Sequence, residues 1–225
     1  MGKKYLGNTR DWAKSFLRTT EISLFHKVRS YFQKKAFFNH IHDKNMVIVD
    51  VGCGNGGFVN FLEKEGYHNV FGVEPNDELL ERINKPNIQK GFSNSLPHKD
   101  QFADCINFFC VLHHLKNIRD YELTLDEIDR CLKPGGIIII IEPCRKLIYL
   151  LWYKINRLLS PFSANCSNIY NMLNEEMTDL CFFFDHSEII KTNLLKKNYT
   201  LLKNKKVLHV WTLIMQKQKN STTVR

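Results

Sequence analysis

The chain has 225 residues, 44% of them hydrophobic and 24% charged, which bounds it to one globular domain with a sizeable core and excludes a disordered or fibrous chain. Its seven cysteines are an odd number and include no C-x-x-C pair, which argues for reduced thiols rather than a disulfide framework. The net charge of +9 is uneven: residues 1–45 carry 10 Lys/Arg and 3 Asp/Glu, residues 46–143 carry 9 and 15, and residues 144–225 carry 13 and 5.

Met1-Gly2-Lys3-Lys4-Tyr5 leads into polar residues, and Leu6 breaks a myristoylation pattern, so we expect no targeting leader and a cytoplasmic protein. Residues 9–41 read as one or two helices, with Trp12 and Phe16 paired at i, i+4 and a second stripe of Leu24, Phe25, Val28, Tyr31 and Phe32. Further helices are expected over 57–66, 77–84, 117–132 and 186–198. Strands are expected near 46–51, 70–74, 87–91, 104–109, 136–142, 199–203 and 207–216, the last two as a closing hairpin split by Asn204-Lys205-Lys206. Leu132-Lys133-Pro134-Gly135-Gly136 stops one helix, and the isoleucines from 137 to 141 make a fully buried strand after it.

Residues 143–185 are too long for an ordinary connection. Their first half is apolar all round, and Leu151, Ile155, Leu158 and Leu159 then form a stripe before Ser160-Pro161 ends the helix. A run this short does not span a bilayer. It suits a lid packed on its own domain, or one that also lies in a membrane interface with Trp152 and Tyr153 at headgroup level. Phe182-Phe183-Phe184 reads as core.

The most informative stretch is Val47 to Gly57. A buried strand runs into Gly52-Cys53-Gly54-Asn55-Gly56, a helix follows, and Val70 to Glu74 is a second strand that ends on an acid. This is the adenosine-binding half of a nucleotide-type fold. Gly52, Gly54 and Gly57 also meet the G-x-G-x-x-G spacing of a dinucleotide site, while the Lys-Ser/Thr of a phosphate loop is missing, so the glycines exclude the second kind of site and not the first.

The string Asp50-Val51-Gly52-Cys53-Gly54-Asn55-Gly56 resembles motif I of the class I S-adenosylmethionine-dependent methyltransferases. Gly72-Val73-Glu74-Pro75-Asn76, the run from Leu96 to Leu115, and Leu132 to Glu142 are similar to the segments that follow it in the small-molecule, quinone-precursor-like branch. The resemblance covers residues 46–143. It implies a Rossmann-like α/β fold: a seven-stranded, mostly parallel sheet with a closing antiparallel hairpin and helices on both faces. Residues 1–45 would be a helical cover, 46–143 the cofactor core, 144–185 a lid, and 186–225 the last helix and hairpin of a single domain.

It also implies S-adenosylmethionine as cofactor. Asp50, Gly52, Cys53 and Gly54 would hold the turn and the methionine arm, Glu74 and Pro75 the ribose, and Phe109 the methionine arm at the end of the fourth strand. Where many relatives carry an adenine-binding Asp, this chain has Phe92 or Ser93. Cys110-Val111-Leu112-His113-His114 matches the E-x-x-E-H run that binds a metal in quinone-precursor O-methyltransferases. Here three close ligands on one segment make poor geometry, and we expect no metal. His113 or His114 is the candidate general base, and because consecutive helical residues point about 100° apart one of them should face the site, His113 by preference.

The expected acceptor is a small molecule, sugar or lipid, methylated on oxygen, with peripheral contact of 144–160 at the inner face of a membrane. The basic flanks leave an RNA acceptor as the alternative, and a non-catalytic S-adenosylmethionine-binding module as a third.

Overall fold

A computed structural model describes residues 24–219. The expected Trp12–Phe16 helix lies outside the described residues. The described residues open with α1 (Leu24–Phe38). β1 (Val47–Val51), α2 (Gly57–Lys64), β2 (Asn69–Glu74), α3 (Asp77–Ile83) and β3 (Ile88–Lys90) form the first half. The second half has β4 (Ala103–Phe109), a 3-10 turn (Leu112–His114), α4 (Ile118–Cys131), β5 (Leu132–Pro143), α5 (Lys146–Leu159), α6 (Ala164–His186), α7 (Glu188–Lys196), β6 (Tyr199–Val207) and β7 (Val210–Lys217).

The strands form one sheet in the order β3-β2-β1-β4-β5-β7-β6. Pairing is parallel from β3 to β5, and β7 runs antiparallel to both β5 and β6. The strand order reverses between β1 and β4, so the crevice beyond their carboxyl ends is where an open α/β sheet binds ligands.

Alternate residues of the strands feed two apolar layers. One face buries Ile48, Val70, Ile139 and Ile214 under α1 and α2, where Phe37 meets Phe58 and Tyr67 edge to face. The other buries Val49, Phe108, Ile138 and Trp211 under α4, α7 and the end of α6. Phe183 is fully buried in that second layer and Phe182 and Phe184 pack against it, as the sequence suggests.

Three boundaries differ from expectation. β5 starts at Leu132 rather than near 136, because Leu132 already pairs with Ala103 before an irregularity shifts the register. The hairpin turn falls at Leu208-His209, not at Asn204-Lys205-Lys206: Leu208 takes a φ of 52°, and Val207 pairs with Val210. The polar run belongs to an outer strand whose side chains mostly face water, so its composition imitates a turn. Residues 144–185 are two helices, α5 and the 23-residue α6, packed on each other through Tyr149, Met172, Leu173 and Leu180.

Candidate active site

The turn after β1 is held to β2 by its backbone: Gly52 and Cys53 both donate to the Val73 carbonyl, at 2.7 and 3.1 Å. Gly52 has a φ of 68°, and a Cβ there would lie 2.4 Å from Val111 Cγ2. The glycine therefore lets the segment after β4 close over the turn. Cys53 is buried, with its Sγ seated over Gly72 of β2.

Asp50 and Glu74 stand at neighbouring strand ends, both buried. Glu74 Oε2 accepts from the Gly54 N–H at 2.9 Å and Oε1 from the Asn76 N–H at 3.0 Å. Asp50 Oδ1 accepts from Asn107 Nδ2 at 2.5 Å. Burial pushes both carboxyls up to about 7, against the opposing pull of these hydrogen bonds. Asn76 Nδ2 and Asn107 Oδ1 are buried with no hydrogen-bond partner. Orphaned polar atoms at a sheet's carboxyl edge fit a polar ligand that supplies the missing bonds, and ionisable carboxylates fit its cationic and hydroxyl groups. Pro75 and Phe109 are half-buried on the same edge. Phe92 and Ser93 follow β3. Phe92 bridges to Ser95, and the Ser93 hydroxyl lies 3.1 Å from that of Thr124, turned toward α4.

Across the crevice, Glu142 organises the segment after β4. Its Oε1 accepts from the Val111 and Leu112 N–H groups, each at 2.7 Å. Its Oε2 lies 2.7 Å from His113 Nδ1, with both side chains buried. Among the neutral forms of the ring, a carboxylate oxygen at Nδ1 favours the tautomer that carries its proton on that nitrogen. The rings of His113 and His114 do not diverge as on a regular helix. The 3-10 turn brings their centroids to 4.1 Å. Burial, followed by the neighbouring His113, holds His114 well below the usual imidazole range.

Three further residues reach the site from elements that sequence reasoning did not connect to it. In the sequence Glu142 reads only as a strand ending, although an acid closing a run of five isoleucines signals a carboxylate with buried partners. Glu176 of α6 brings a carboxylate oxygen within 4.8 Å of a ring nitrogen of each histidine, a set able to hold a cation. The metal geometry weighed on the sequence used Cys110 instead, whose thiol burial pushes up to about 12. Arg29 of α1 donates to the Tyr149 hydroxyl of α5 at 3.4 Å. Burial works against its charge, yet Cys110, Tyr149, Glu176 and Glu142 together hold the guanidinium above its ordinary value. Nothing in the local sequence marks Arg29 or Glu176.

A family model described as a methyltransferase domain matches residues 23–190. The chain belongs to that family. Its cofactor is S-adenosylmethionine. Demethylmenaquinone methyltransferases of Staphylococcus haemolyticus and Staphylococcus saprophyticus are 29% and 35% identical to it over 156 and 121 residues. Those matches cover 60% and 47% of this chain and 64% and 51% of the relatives. A tRNA (carboxymethyluridine(34)-5-O)-methyltransferase of Arabidopsis thaliana is 24% identical over 140 residues, 61% of this chain and 32% of that protein. In these two matches the chain spans about half to two thirds of the relatives' length.

A putative S-adenosylmethionine-dependent methyltransferase of Methanococcus maripaludis superposes with a TM-score of 0.64 at 15% identity, over 99% of this chain and 98% of that one. A Haloferax volcanii complex of the Trm112 methyltransferase activator with a putative methyltransferase gives 0.67 at 13% identity, over 95% and 99%. These superpositions show a shared fold and bear out the Rossmann-like architecture expected from motif I.

Proposed function

We propose that the protein transfers a methyl group from S-adenosylmethionine to a hydroxyl of a small, lipid-type acceptor that it meets at a membrane face. The observation that carries the O-methylation is the buried Glu142–His113 pair at the carboxyl ends of β5 and β4. The cofactor, when bound, supplies an electrophilic methyl on a sulfonium.

The chain's own residues do the rest. Asp50, Gly52, Cys53 and Gly54 line the methionine arm. Glu74 accepts the ribose hydroxyls beside Pro75. Phe92 and the Ser93 backbone cover the adenine, and Phe109 borders the methyl. His113, fixed by Glu142, takes the acceptor's proton at Nε2, while His114 stays neutral beside it. General-base assistance of this kind contributes about 10²–10⁴ in rate. α5 and α6 close the acceptor side and exclude water, since Tyr149 reaches Arg29 and α6 brings Glu176 to the histidines.

The relatives named demethylmenaquinone methyltransferase support a small, apolar acceptor. A second reading, an RNA acceptor, is favoured by the basic flanks and by the Arabidopsis relative. Tritiated S-adenosylmethionine offered in parallel to membrane lipid extract, soluble metabolites and total RNA separates them. Label in the lipid extract, lost in His113→Gln, is the expected result. Label confined to RNA transfers the reading to the second class.

A further inference from the structure

We infer that the outward face of α5 is a docking surface for an anionic lipid bilayer. The face is built at helical spacing. Leu147, Leu151, Ile155 and Leu158 follow at steps of four, four and three residues and are 68%, 51%, 54% and 74% exposed. Phe162, just past the helix end, is 86% exposed. Single exposed apolar residues need no explanation, but a continuous row forms a patch. The helix is not poorly seated. Its opposite side buries Tyr149 and Asn156, and Trp152 packs edge to face on Tyr149 at 6.0 Å.

Charge names the occupant. From Cys144 to Asn174 the chain has four cations, Arg145, Lys146, Lys154 and Arg157, and no acid. Lys146 is paired with Asp185 at 3.0 Å, while Lys154 and Arg157 are exposed on the same helix as the apolar row. A second copy docked face to face would set two such cationic helices against each other. Residues 1–23, an alternative cover from the same chain, carry five Lys/Arg and two Asp/Glu and share the sign.

An anionic bilayer satisfies both halves of the face. Leucine and isoleucine side chains enter the boundary of the acyl region, and Lys154 and Arg157 reach the headgroup phosphates. α5 has 14 residues, so it lies in the interface rather than across it. Among the described residues no helix is long and apolar enough to cross a membrane. Trp152 and Tyr153, which the sequence placed at headgroup level, are instead half-buried toward α6. The docking residues are the aliphatic ones.

The inference extends the reading of a lipid-type acceptor, and its test uses no acceptor, so the two fail separately. The full chain is floated with vesicles of phosphatidylcholine alone, or of phosphatidylcholine mixed with phosphatidylglycerol, at low and high salt. Binding to the anionic vesicles should exceed binding to the neutral ones by about tenfold or more and fall with salt. The triple variant Leu151→Glu, Ile155→Glu, Leu158→Glu should lose it by a similar factor. Its affinity for S-adenosylhomocysteine, held within about twofold, shows that it is folded. Lys154→Glu with Arg157→Glu should abolish the preference for anionic vesicles and leave the same cofactor-product affinity. Absence of flotation by the wild-type chain overturns the inference. So does equal flotation by the triple variant, or a dimer of the wild-type chain that the triple variant dissolves.

Discussion

Glu74 carries the residue-scale argument. Both its oxygens are held by backbone N–H groups, and burial still leaves the carboxyl at about 7. An acid with a raised folded pKa keeps a proton that the unfolded chain has already released. Stability without cofactor therefore falls as pH rises from the usual carboxylate range through about 7. A ribose diol and an ammonium favour the ionised forms, so cofactor affinity rises over the same window. Calorimetry with S-adenosylhomocysteine should show binding strengthening between about pH 6 and 8. Glu74→Gln should weaken binding about tenfold or more and flatten part of that rise. An unchanged pH profile in the variant removes Glu74 from the ribose.

In the proposed mechanism Glu142 is a positioning residue, and its effect is separable from binding. Glu142→Gln can still accept the two backbone N–H groups, but an amide nitrogen beside Nδ1 presents a donor and favours the other imidazole tautomer. Turnover should fall by about 10²-fold or more, with cofactor affinity unchanged and the acid limb of the pH–rate profile displaced. Gly72 makes a stability test. A Cβ there meets Cys53 Sγ at 2.8 Å and Ile88 Cγ1 at 2.9 Å. Gly72→Ala should cost about 1–3 kcal/mol in a denaturant titration, and a neutral result means that β2 and β3 give way without strain.

At the scale of elements, the sheet strands were the most legible and the 144–185 insertion the least. Five consecutive isoleucines permit few alternatives to a doubly covered strand, and β5 is that strand. α6 lacks a clean stripe because successive stretches of one 23-residue helix face different neighbours: Met172 and Leu173 meet α5, while Phe183 enters the main core. Helical periodicity blurs when the partner changes along the axis. Trp152 and Tyr153 lie between these helices, Tyr153 donating to Asn174 Oδ1 at 3.0 Å. Replacing both with Ala should loosen α5 from α6 and lower turnover several-fold, while S-adenosylhomocysteine affinity stays within about twofold. A large loss of that affinity in a folded double variant ties the insertion to the cofactor instead.

At the scale of the whole molecule, the proposed mechanism has a cofactor side and an acceptor side. The sequence by itself determined the first. Motif I, the strand that ends on Glu74 and the isoleucine strand are local patterns, and each depends on backbone conformation or burial within a few residues. Glycine spacing and strand period therefore mark them directly. Only the tertiary structure decided the second. His113 is joined to Glu142 across 29 residues, and Arg29 to Tyr149 across 120. Contacts at that separation follow from which strand neighbours which and how the insertion helices lie, and no local periodicity encodes them. The same holds for α5. Its stripe of Leu151, Ile155 and Leu158 is visible in the sequence, but a stripe reads alike whether it meets a core or solvent. Burial of Tyr149 and Asn156 on the other side of the helix turns it outward.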